Sequence, residues 1–183
     1  MTFFRTLLVF TLLWPLAAFA DSWVPPSPKV VASPDTRVLA RITPGRQDQS
    51  ASVALYRIDA ANERYVSHAR WNLPQRRAPV DVLVNDAAQL VVLDDWGQMG
   101  KGQVLTIYSA EGELRFAFTL KQLLGEAAAS VPASVSSLWW RCGEPMLVAD
   151  GTELRVTTYD EGVLTVSLTD GRVKHEPGQG RCR

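Results

Sequence analysis

Residues 103–120 read QVLTIYSAEGELRFAFTL, and this stretch decides the fold. Leu114, Phe116, Phe118 and Leu120 alternate with Arg115, Ala117 and Thr119. A period of two places the large apolar side chains on one face of a strand and the others on the opposite face. The run 103–109 supplies a partner strand, and Ala110, Glu111 and Gly112 between the two make a tight hairpin turn. The design returns at 163–174, where VLTVSL and RVK flank Thr169, Asp170 and Gly171. Asp-Gly between alternating strands is a strong hairpin signal.

Working outward, further strands are predicted at 37–42, 52–58, 64–71, 80–84, 89–94, 137–141, 146–149 and 153–159. Helical signal is sparse. Residues 119–124 predict one or two turns stopped by Gly125; residues 126–130 extend them at most to the neighbourhood of Pro132. The class is all-β. Aligned, the strands show a weak repeat. A polar turn and strand at 33–40 precede a hairpin around Tyr56, Arg57, Ile58 and Asp59. The same order recurs at 84–92 before the hairpin at 108–112, and in diverged form from Leu138 through Asp150 to the hairpin at 169–171. The spacing is roughly 50–60 residues, in the range of propeller blades.

Between two of these strands lies Val92-Leu93-Asp94-Asp95-Trp96-Gly97-Gln98-Met99-Gly100-Lys101-Gly102. This loop and the repeat pattern resemble those of uncharacterised exported bacterial proteins with β-propeller-like repeats. The resemblance implies a propeller-like stack of about three antiparallel blade units, open or incomplete, and brings no activity with it. A β-sandwich or distorted barrel is the alternative architecture. An open arc leaves edge strands to be covered. The Pro-rich start and a tethered C-terminus are the candidates for that cover.

Residues 1–20 (MTFFRTLLVFTLLWPLAAFA) carry one cation, Arg5, then an uncharged apolar run closing on Ala18-Phe19-Ala20. This is the pattern of a cleaved signal peptide, and the run is short for a bilayer core needing about 20 helical residues. Cleavage leaves 163 of the 183 residues: an extended Pro-rich lead-in at 21–36, then a single all-β domain at 37–183 with no transmembrane segment. The leader takes Arg5 and no acid, so 18 of the 19 Lys+Arg remain against 19 Asp+Glu. Such a balance excludes the electrostatic footprint of a nucleic-acid binder. In an oxidising compartment, periplasmic or extracellular, Cys142 and Cys182 predict a disulfide holding the tail (GQGRCR, residues 178–183) to the last β unit.

Each candidate site has an ordinary structural reading beside it. Asp94 and Asp95 are acids suited to a hard cation such as calcium, but they lack D-x-D-x-D-G spacing and equally suit backbone capping in a loop anchored by Trp96. Trp139 and Trp140 are adjacent, so on a strand they face opposite ways. One is left for a sugar or peptide, and Trp140 is taken as that residue. His68 and His175 are far apart and no G-x-S-x-G turn occurs, so no catalytic residue is assigned. No cofactor and no metal are assigned either. The expectation is an exported, non-catalytic binding or interaction module contacting an envelope protein or cell-wall component, with self-association a further option. The alternative is a small-ligand or calcium-binding protein centred on Asp94, Asp95 and Trp96, with Trp140 as the aromatic contact.

Overall fold

The computed structural model describes residues 23–46 and 49–182; the predicted signal peptide lies outside them. Among the described residues, three four-stranded antiparallel sheets follow one another along the chain. The first holds β1 (Lys29–Ala32), β2 (Val38–Thr43), β3 (Ser52–Asp59) and β4 (Arg64–Asn72). The second holds β5 (Pro79–Val84), β6 (Leu90–Asp95), β7 (Gln103–Tyr108) and β8 (Leu114–Thr119). The third holds β9 (Arg141–Val148), β10 (Glu153–Thr158), β11 (Val163–Ser167) and β12 (Val173–Glu176). Each sheet is a meander in chain order. The first strand of each sheet lies innermost: β5 touches β1 and β2 on one side and β9 on the other. The arrangement is propeller-like and open, with three blades.

Burial explains the order of the blades. Leu90, Val92, Val82, Val84 and Tyr108 of the middle blade pack with Val38, Ala40, Ile42, Val53 and Leu55 of the first. Val91, Leu93, Leu105 and Ile107 turn the other way, onto Leu154, Val156, Leu164 and Val166 of the third. Neighbouring residues of β6 thus serve two cores, and the strand is buried from Leu90 to Asp94 without alternation. A sheet covered on both faces loses the hydrophobic-in, polar-out pattern. The outer blades keep it. Arg41, Thr43 and Arg70 are exposed on the free face of the first blade; Arg155, Thr157 and Lys174 are exposed on that of the third.

The repeat read from the sequence falls on equivalent turns. The β1–β2 turn holds Asp35 and the β5–β6 turn holds Asp86, 51 residues on; the Asp35 N–H donates to the Asp86 carboxylate. The Asn85 side chain donates to the Gly151 carbonyl in the β9–β10 turn. The polar turns are therefore cross-blade ties at one end of the arc. Hairpin turns at 59–64, 108–114 and 167–173 close the outer strand pairs.

Two expected elements differ. The Pro-rich lead-in contributes β1, which pairs with β2 from Lys29↔Ile42 to Ala32↔Leu39. Residues 137–140 are irregular, with one bridge between Ala133 and Leu138, and the strand starts only at Arg141. The short helix does form. It is α1 (Leu120–Leu124), opened by Thr119, whose hydroxyl accepts from the Gln122 N–H while the Gln122 side chain accepts from the Thr119 N–H. Gly125 takes a positive φ, and a 3-10 helix continues over Gly125–Ser130. Cys142 and Cys182 are bonded, as the sequence predicts. Among the described residues no helix is long and apolar enough to cross a membrane.

Candidate functional site

The polar turns occupy one end of the arc. At the other, β5 starts at Pro79, β6 ends at Asp95 and β9 starts at Arg141. Asp94 is fully buried there in a left-handed conformation, φ 57°. Its Oδ1 accepts from the Trp140 indole N–H at 2.8 Å and from the Gly100 N–H at 2.8 Å. Its Oδ2 accepts from Arg141 Nε at 2.9 Å, and Arg141 Nη2 reaches Asp81 Oδ2 at 2.5 Å. Burial pushes the Asp94 carboxyl up; Arg141, Trp140 and Gly100 oppose that. Three donors face this carboxyl, so the site serves the anion.

That geometry removes the calcium alternative. Both Asp94 oxygens are engaged by protein donors, and adjacent residues on a strand end diverge. Among the described residues no group of three or more His, Cys, Asp or Glu is placed to hold a metal ion. Trp140, predicted as the aromatic contact, is 0% exposed and bound through its indole N–H to Asp94, so no ligand can stack on it. It is the 41% exposed Trp139 that reaches the surface. Gly100 completes the clamp: a Cβ added there would lie 2.6 Å from the Leu138 carbonyl oxygen, at φ +75°. Gly100→Ala is therefore expected to destabilise the protein by about 2 kcal/mol or more through strain and clash. A urea melt checks this, and an unchanged midpoint would refute it.

Asp95 has a different environment. It is half-buried, its Oδ1 has no hydrogen-bond partner among the described residues, and burial holds its carboxyl above the usual range. The N–H groups of Trp96 and Arg76 and the charge of Arg77 oppose the shift. A raised folded-state value contributes stability that is present below the unfolded value of about 3.9 and lost as pH rises through the folded value. Wild type should therefore lose ground to Asp95→Asn as pH rises from about 4 toward neutrality. Paired denaturation curves across that range test the sign.

Beyond Asp95 the surface becomes aromatic and basic. Trp96 donates its indole N–H to the Val24 carbonyl at 2.8 Å, and the Arg77 guanidinium lies 4.7 Å from the Trp96 ring centre. Trp23 packs edge-on to Trp96 at 6.0 Å and stacks on Trp139 at 6.3 Å. Trp23, Pro26, Lys29 and Trp96 line a cleft of about 310 Å³. Next to it Pro26, Thr43, Gly45, Arg46, Arg76 and Arg77 line a larger one of about 530 Å³. The sequence singled out neither Trp23 nor the arginines. The Arg76-Arg77 pair after Pro74 was the available signal, and its meaning depends on Arg46 and the N-terminal segment arriving beside it.

No protein-family model and no curated protein matches this chain. Its structure is similar to that of the periplasmic gluconolactonase PpgL of Pseudomonas aeruginosa. The TM-score is 0.42 and the identity 19%, over 85% of this chain and 41% of that one. The chain thus spans less than half the length of that protein. This neighbour is an enzyme, so the expectation of a non-catalytic binding module finds no support in it.

Proposed function

We propose that the protein works outside the cytoplasm, released by cleavage after Ala20, and takes a small carboxylate- or phosphate-bearing organic molecule at the basic end of the arc. The observation that carries this reading is the convergence of Arg46, Arg76 and Arg77 on one cleft of about 530 Å³. That volume is in the range of small-molecule sites. Guanidinium forks match carboxylate and phosphate geometry, and the adjoining cleft beside Trp23 and Trp96 offers an apolar wall for the rest of the molecule. The disulfide supports an oxidising compartment.

The test is calorimetric titration with a panel of sugar acids, sugar phosphates and aromatic carboxylates, with product analysis after incubation to show whether the bound molecule is converted. Arg76→Ala with Arg77→Ala is expected to weaken binding at least about tenfold, since a hydrogen bond to a charged group contributes about 1.5–3 kcal/mol. If no panel member binds, or the double variant binds as well as wild type, the reading fails.

A further inference from the structure

We infer that this same end of the arc docks on an anionic bilayer surface. The inference rests on the proposed function in one respect: both use the guanidinium groups of Arg46, Arg76 and Arg77. Beside those groups stands an apolar projection that no soluble ligand requires. Val24 is 83% exposed, Val135 79% and Trp139 41%. Trp139 stacks on Trp23, Trp23 meets Trp96, and Trp96 holds the Val24 carbonyl. On the other flank Lys101 Nζ lies 3.5 Å from the Val135 carbonyl oxygen.

The projection is thus flanked by Lys29, Arg46, Arg76, Arg77 and Lys101, and among the described residues lining these clefts the one acid is the half-buried Asp95. Aliphatic and indole side chains surrounded by cations form the pattern of a protein lying on, without crossing, a membrane: the apolar tips enter the headgroup boundary and the cations meet lipid phosphates.

The experiment is co-sedimentation of the exported, leader-cleaved protein with vesicles of phosphatidylcholine alone or mixed equally with phosphatidylglycerol, at low and high salt. Binding is expected to the mixed vesicles only and to weaken with salt. Arg76→Glu with Arg77→Glu should reduce partition about thirtyfold or more, at about fivefold for each basic side chain near the surface. Val135→Ser changes a side chain that is 79% exposed and lines neither cleft, so the fold survives. It should weaken sedimentation while leaving the titration with soluble anions unchanged. Equal binding to neutral and anionic vesicles, or none to either, overturns the docking inference. Soluble-anion binding without vesicle binding overturns it while leaving the proposed function standing. Vesicle binding without any soluble ligand does the reverse.

Discussion

Asp94→Ala is expected to lower the unfolding free energy by about 3–5 kcal/mol, the cost of removing one partner from a buried ion pair. Three donors lose their acceptor at once: the Trp140 indole N–H, the Gly100 N–H and Arg141 Nε. Arg141, whose side chain is 5% exposed, would keep Asp81, itself one-third exposed, and the Gly143 carbonyl. An unsatisfied buried donor costs about 1–3 kcal/mol. The damage falls chiefly between the second and third blades, because Asp94 belongs to β6 while Trp140 and Arg141 lead into β9. Asp94→Asn keeps an acceptor oxygen and a residue type that tolerates a left-handed φ, but removes the charge facing Arg141. It should fall between wild type and alanine. Guanidinium denaturation measures both, and a loss under about 1 kcal/mol for alanine would show that the clamp is dispensable.

Removing the Cys142–Cys182 bond should cost a similar amount. The bridged residues are 40 apart, and closing such a loop in the unfolded chain contributes about 4 kcal/mol on the chain-entropy account. In a chain of this size that corresponds to a melting temperature lower by roughly 8–16 °C. The tail it secures has few other holds: Gly178 N donates to Asp160 Oδ2, Gly180 N to the Asp160 carbonyl and Cys182 N to the Tyr159 carbonyl. Calorimetry with and without reductant, alongside the double serine variant, checks the figure. Coincident melts would mean that these three backbone bonds suffice.

The hairpins at 103–120 and 163–174 were legible because hairpins are local; Phe116 and Phe118 of β8 do pack on the core, while Leu114 at the start of that strand is 52% exposed. The blade repeat was legible through its turns, which need Asp, Asn and Gly for reasons internal to each turn. β1 was not, because Pro25, Pro26, Pro28 and Pro34 suggest an irregular segment, yet Lys29–Ala32 between them is free to pair. The pleat argument for Trp139 and Trp140 assumed a strand that does not form, although the two residues do differ in burial. The clamp was beyond reach for a different reason. Asp94 and Trp140 are 46 residues apart, and only the packing of one blade on another shows that the carboxylate faces inward. The basic cleft likewise joins Arg46 to Arg76 and Arg77 across a whole hairpin.

The middle blade's two apolar faces govern how the chain can mature. Each meander pairs only with its neighbours in sequence, so every blade can close its own hairpins as soon as it has emerged from the ribosome or a translocation pore. The first two blades can then join along Leu90 and Val92, but the opposite side, Val91, Leu93, Leu105 and Ile107, stays bare until residues 141–176 have followed. During that interval the nascent protein displays a sticky, half-made core, and oxidation of Cys142 must wait longer still, for the penultimate residue. A holding chaperone would find its target in that window, and a chain truncated before β9 should be captured or degraded where the complete one escapes.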